Sequence, residues 1–229
     1  MFVPIHDGVK LKYVVRPQTT YSLIVLNIVV FTVVVLGVLG PENRADTALG
    51  VIPAVLFGHA VLAPDLAWIP APFTLITSMF MHGGAWHLVG NMLFLWVFSD
   101  NVEDAMGAAR FLVFYLLCGI AGGLVFCLPD TLSESPLIGA SGAVSGVVAS
   151  YLMLYPRVRV LGLVFNVVPL RIPAVFCVGA WILLQIGSAL FSQGGQIGWW
   201  AHVGGIVAGL ALTPVMKRKS VQLFSEQKS

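Results

Sequence analysis

Five stretches without a single Asp, Glu, Lys or Arg, at 17–41, 66–99, 111–129, 135–156 and 172–216, constrain this 229-residue chain more than any other feature. A helix crossing the hydrocarbon core of a bilayer needs roughly 20 residues, in a range of about 17–25. The stretch 172–216 is long enough for two spans, and the polar, glycine-bearing run Ser192-Gln193-Gly194-Gly195-Gln196 separates them. The stretch 66–99 holds one, because Pro70, Pro72 and His82-Gly83-Gly84 break its first half. The expectation is an all-α, polytopic membrane protein with six transmembrane helices near 21–40, 86–102, 111–128, 140–155, 172–191 and 200–216. Composition agrees: only 10% of residues are charged, against about 25% in soluble domains, too few to coat a globular surface.

The first span follows Lys10, Lys12 and Arg16 and ends in Gly40-Pro41-Glu42 without a small-x-small cleavage pattern, so it reads as an anchor and not as a signal peptide. Six crossings put both termini on one side, where Lys and Arg should gather. Eleven of the twelve basic residues fall there and only Arg44 does not. Both termini are therefore expected in the cytoplasm, with 41–85, 129–139 and 192–199 facing outward. The organisation expected is a short segment 1–20, one membrane domain 21–216 and a tail 217–229. A net charge of +2 without a basic face argues against nucleic acid as a partner. Cys118, Cys127 and Cys177 lie in apolar stretches without C-x-x-C spacing and read as small core residues.

Polar residues inside apolar spans are functional candidates, because burying them without partners is costly. Here they are His87, Asn91, Ser141, Ser145, Gln185 and His202, with His82 just before the second span. At about 1.5 Å per residue, Ser141 lies roughly 24 Å above Arg157, His202 roughly 22 Å above Lys217 and His87 roughly 20 Å above Asp100. A nucleophile and a base at one depth, on different helices, can meet. Ser141 opens a helix within Gly139-Ala140-Ser141-Gly142, where free backbone N–H groups can hold an oxyanion. The competing reading is packing alone: Gly142 to Gly146 and Gly205 to Gly209 are small-x-x-x-small pairs common in membrane helices.

His87 and Asn91 are four residues apart and share a helix face. Their imidazole and amide N–H groups suit a developing oxyanion, although an interhelical hydrogen bond that only holds helices together is equally consistent. Three zinc ligands from His82, His87 and His202 are disfavoured by the lack of H-E-x-x-H and of any carboxylate near those histidines in sequence. Asp100, Glu103 and Asp104 belong to the opposite end of the second helix, which leaves a Ser-His dyad in place of a Ser-His-Asp triad.

The ordered motifs His82-x4-His87-x3-Asn91, Gly139-Ala140-Ser141-Gly142 and Ala201-His202-Val203-Gly204-Gly205-x3-Gly209, on the second, fourth and sixth expected helices, resemble those of rhomboid intramembrane serine proteases. Glu103, Gly107 and Arg110 also match that family's pattern, and the likeness covers about 20–216. The resemblance implies a six-helix rhomboid-like bundle with Ser141 as nucleophile and His202 as general base. It also implies that His87 and Asn91 line the oxyanion site, with His82, Gly139, Gly142 and Gly205 supporting the structure around it. Transmembrane proteins would be the substrates, and no cofactor is implied. Short basic loops and the lack of a targeting extension favour a bacterial inner membrane over a mitochondrial one. One departure stands out: some members carry a tyrosine four residues after the serine, stacked on the histidine, where this chain has Ser145. The rival readings are a catalytically inactive relative that binds transmembrane clients, which would lack the serine or histidine kept here, and a small transporter, which would show repeat symmetry.

Overall fold

The computed structural model describes residues 2–165, 167–191 and 198–225, and the expected polar break at 192–196 lies outside them. Among the described residues helices form near the expected limits: α1 (Gln18–Val35), α2 (Ala85–Met106), α3 (Ala108–Cys127), α4 (Ser141–Leu154), α5 (Ala174–Phe191) and α6 (Trp199–Met216). Of these, α1, α3, α5 and α6 are long and apolar enough to cross a membrane. The other two differ for physical reasons. Helix α2 carries Asp100, Glu103 and Asp104 at its end, and α4, with 14 residues, is only about 21 Å long. Every residue of α4 from Gly142 to Tyr151 is buried, so neighbouring helices surround it and its length need not match a bilayer.

Small residues let α3, α4 and α6 meet backbone to backbone. A Cβ on Gly205 of α6 would run into the Gly142 carbonyl of α4, and one on Gly209 into that of Gly146. Close approach of this kind replaces the hydrophobic drive that lipid cannot supply. Helices α1 and α5 lie at the periphery and bury few residues: Thr20, Leu23, Asn27 and Val34 on α1, Ala174, Val178 and Gln185 on α5.

The segment between α1 and α2 is built of short helical pieces, Glu42–Leu49, Pro53–Leu56 and the turns from Ala71 to Phe80. It is tied to the α3–α4 connection by backbone bonds from Val51 to Leu137 (3.0 Å) and from Gly139 to Ser78 (2.9 Å). At the opposite end of the bundle the chain adds a small antiparallel sheet that the charge pattern does not announce. Strands β1 (Phe2–His6), β2 (Arg159–Val164) and β3 (Val168–Pro173) lie in the order β1-β2-β3. Phe2 sits opposite Val164, and Leu161 opposite Arg171. Pro169 and Pro173 lie four residues apart on the edge strand, where a missing N–H is tolerated.

The same end gathers the acids. The Glu103 carboxylate accepts the Thr19 and Thr20 N–H groups (3.0 and 2.8 Å) and the Thr20 hydroxyl (2.9 Å). A residue of α2 thus satisfies the orphan donors of α1 and faces the positive end of its dipole. Asp104 accepts the N–H groups of Lys12, Tyr13 and Val14 at 2.6–2.9 Å. Arg218 donates to the Ala105 and Asp104 carbonyls and lies over the Tyr13 ring. The segments before α1 and after α6 are therefore fastened at one end of the bundle. Asp7, buried there, accepts from Asn101 Nδ2 (2.7 Å) and the Tyr151 hydroxyl (2.8 Å). Burial pushes its carboxyl above the usual carboxylate range, against the opposing pull of the Tyr151 hydrogen bond.

Candidate active site

At the end away from the termini, the turn into α4 sets the position of Ser141. Gly139 has φ +124°, a conformation that favours glycine. A Cβ there would also fall 2.7 Å from His87 Cε1 and 3.7 Å from Ser141 Oγ. Lacking that atom, the turn lets the His87 ring from the first turn of α2 lie beside the start of α4. One residue further on, a Cβ on Gly142 would stand 3.4 Å from the Ala201 carbonyl oxygen. The residue after Ser141 and the residue before His202 therefore touch, and the common depth inferred from the sequence corresponds to a real contact between α4 and α6. A narrow cavity lined by Ser78, Met79, Gly119, Leu137 and Ala201 runs beside Ser141.

Ser141 is half-buried and His202 almost fully buried. No hydrogen bond joins their side chains among the described residues. Catalytic hydrogen bonds are often long in an unliganded site and tighten with substrate. His202 is instead engaged by α5: its Nδ1 lies 2.7 Å from Gln185 Oε1. The Trp181 ring lies 6.5 Å away, inclined by 28°, and Trp199 meets the imidazole edge-on at 5.7 Å. Gln185 stood among the polar candidates without a role, and the two tryptophans were not candidates at all. Trp181 and Gln185 are one helical turn apart and so share a face of α5, but the spacing alone does not say that this face turns toward His202.

The Ser145 hydroxyl donates to the Ser141 carbonyl at 2.6 Å. It is thus satisfied one turn back on its own helix and does not replace the missing tyrosine ring. Asn91 donates one amide hydrogen to the His87 carbonyl (3.1 Å), which leaves its second for another acceptor. His87 is exposed, and the buried His82 packs edge-on against it at 5.2 Å. Asp100, Glu103 and Asp104 lie at the far end of α2, and Glu103 and Asp104 are engaged with the segment before α1 and its first turn.

The sequence profile of the Rhomboid domain matches residues 70–219, which contain all of these groups. Rhomboid protein 1, mitochondrial, of Saccharomyces cerevisiae is 32% identical over 192 residues, covering 74% of this chain and 52% of that protein. Presenilin-associated rhomboid-like protein, mitochondrial, of Mus musculus is 31% identical over 143 residues (59% of this chain, 36% of that protein). Rhomboid protease GluP of Bacillus subtilis is 32% identical over 140 residues (60% and 24%). The chain spans about half the length of the yeast relative and less of the other two. A helical, membrane-spanning bundle with this arrangement defines an integral membrane protein of the rhomboid type. The chain belongs to the rhomboid family.

Proposed function

We propose that this chain is an intramembrane serine endopeptidase that hydrolyses peptide bonds in or near the transmembrane segments of other membrane proteins. The observation that carries the reading is the contact of Gly142 with Ala201, which brings the serine at the start of α4 beside the histidine near the start of α6. The name of the Bacillus subtilis relative, a rhomboid protease, supports the reaction class.

In this mechanism His202 Nε2 takes the Ser141 hydroxyl proton as Oγ bonds to the scissile carbonyl carbon. The negative charge that develops on the carbonyl oxygen is met by N–H donors of His87 and Asn91 and by the free backbone N–H groups at the start of α4. The tetrahedral adduct collapses, the C–N bond breaks, and the imidazolium returns its proton to the leaving amine. Water then attacks the acyl-enzyme with His202 again as base, releasing the acid and restoring Ser141. His82 supports the His87 ring, and Gly139, Gly142 and Gly205 permit the approach of the elements that carry the site.

The basic residues before α1, between α4 and α5 and after α6 support a cytoplasmic placement of the end of the bundle that carries the termini, and in this reading the site opens toward the other side of a bacterial inner membrane. A fluorophosphonate probe and a fluorogenic transmembrane peptide test the function together. Wild type should label and cleave, and Ser141→Ala and His202→Ala should each abolish cleavage. The double variant should be little worse than either, since groups acting as a unit are non-additive. Near wild-type turnover in either single variant would overturn the dyad. A protein that binds the peptide and neither labels nor cleaves it would be an inactive client-binding relative.

A further inference from the structure

Helix α5 lies at the periphery of the bundle, yet its few buried residues include a glutamine. Ala174, Val178 and Gln185 are its buried residues, and half-buried Trp181 falls between them. The spacing 174, 178, 181, 185 traces one stripe on the helix, turned toward the bundle. Along that stripe Gln185 is the polar member, 4% exposed. A polar side chain so placed within an apolar span needs a partner, and its partner is the candidate base: Oε1 lies 2.7 Å from His202 Nδ1.

Chemistry decides what that contact does. A neutral imidazole carries its hydrogen on one nitrogen and a lone pair on the other, and the hydrogen bond at one nitrogen fixes the state of the second. An amide oxygen has only lone pairs to offer, so Nδ1 must be the nitrogen that bears hydrogen. The lone pair is then on Nε2, where a base for the Ser141 hydroxyl needs it. Trp181, one turn away on the same face of α5, flanks the ring at 6.5 Å between centroids, inclined by 28°.

We infer that Gln185 is the positioning residue of the site: its amide oxygen, with Trp181 beside the ring, holds His202 in the Nδ1–H tautomer and so completes a neutral Ser-His-Gln relay. The inference rests on the reading of Ser141 and His202 as nucleophile and base. It assigns to α5 the part that an aspartate plays in other serine hydrolases.

Two measurements on the full chain in micelles separate the inference from that reading. In the first, nitrogen-15 NMR of histidine-labelled protein, with His202 assigned by its loss in His202→Ala, reports which ring nitrogen is protonated. Wild type should show Nδ1–H, and Gln185→Met, close in shape and without an acceptor oxygen, should lose that preference. An Nε2–H signal in wild type, or an unchanged spectrum in Gln185→Met, would overturn the inference whether or not the protein cleaves anything.

In the second, kcat and KM are followed against pH. Gln185→Met should lower kcat roughly 10- to 100-fold, the loss of one buried hydrogen bond at the base, with KM little changed. Gln185→Glu should restore turnover and move the acid limb of the kcat profile to higher pH, because a carboxylate beside the ring favours the imidazolium. A merely structural glutamine would leave that limb in place. Ser141-dependent cleavage that is indifferent to Gln185→Met would sink the positioning role and spare the protease. Loss of the Nδ1–H signal in Gln185→Met, with no cleavage by wild type, would do the reverse.

Discussion

Replacing Gly122 of α3 by alanine puts a methyl group where the two flanks of the site already meet. Its Cβ would stand 2.8 Å from the Ala201 carbonyl oxygen and 3.3 Å from Gly142 Cα. Carbon and oxygen pack comfortably at about 3.3–3.6 Å, so α3 and α6 must part by roughly 0.5–0.8 Å. The opening falls next to His202 on one side and next to Ser141 on the other. Overpacking of a close contact costs about 1–3 kcal/mol. At about 2–4 °C per kcal/mol for a chain of this length, Tm should fall by roughly 2–12 °C. A 1 Å misplacement of reacting groups costs on the order of 10²-fold in rate, so a fall in kcat of about 10- to 100-fold is expected. The control is Gly179→Ala on α5, whose Cβ would meet nothing within 4 Å. Alanine there gains about 0.5–1 kcal/mol of helix preference and should leave Tm and kcat unchanged or slightly raised. Cys118 and Cys127 are buried, so a thiol-reactive dye reports unfolding in the same micelles used for cleavage. Wild-type Tm and kcat in Gly122→Ala, or an equal loss in Gly179→Ala, would refute the reasoning from close contact.

Asn91→Ala should lower kcat by at most about 10²–10³-fold if its free amide hydrogen meets the oxyanion, while an unchanged kcat in the folded variant would reduce Asn91 to a bond within its own helix. Ser145→Ala should keep activity within about tenfold, because its hydroxyl serves only the Ser141 carbonyl, whereas Ser145→Leu should impair Tm and cleavage together. Glu103→Gln should lower stability by about 2–4 kcal/mol, since three donors lose a charged acceptor, and a thermal scan showing no loss would refute the cap. Asp7 has a raised carboxyl pKa, so its contribution to stability is fully present below the ordinary value of 3.8 and is lost as pH rises through the folded value. Measured Tm of Asp7→Asn relative to wild type should therefore improve from about pH 4 upward, and the opposite slope would contradict the burial of that carboxylate.

The long helices were legible because their cause is one-dimensional: charge is excluded from a bilayer, and the gaps in the charge pattern mark the helices. The depth argument for Ser141 and His202 rests on a similar regularity, since rise per residue along a helix is fixed, and the contact of Gly142 with Ala201 agrees with it. Azimuth was harder to read. Nothing in the uncharged run of α5 orders its residues by direction until the contacts of Val178 and Gln185 show which stripe faces inward, so Gln185 could be singled out as polar but not paired with His202. The terminal sheet escaped for another reason. Its strands are only five and six residues long, and β1 is separated by most of the chain from the β2–β3 hairpin it joins. The carboxylates of Glu103 and Asp104 lie at the terminal end of α2, as the sequence leads one to expect, but their use as caps depends on where α1 begins, which a hydropathy pattern places only to within a few residues.

The distribution of charge in this bundle also explains why an amide, and not a carboxylate, stands behind His202. Burying an ionised carboxylate costs several kcal/mol unless hydrogen bonds and counter-charges surround it. Glu103 and Asp104 meet that condition at the terminal end, where the first turn of α1 and the bend at Lys12–Val14 offer backbone N–H groups in number. At His202 the surroundings are Trp181, Trp199 and the glycine-lined contacts of α4 and α6, so a carboxylate there would depend on the imidazolium itself for its counter-charge. A glutamine fixes the same tautomer with no net charge and leaves the imidazole a weaker base than an ion pair would. In the proposed mechanism that weaker basicity would favour return of the proton to the leaving amine, the step in which the same histidine would act as acid. A Gln185→Glu enzyme should accordingly gain in proton abstraction and lose in proton return, so that its burst of acyl-enzyme and its steady-state rate respond differently to the substitution.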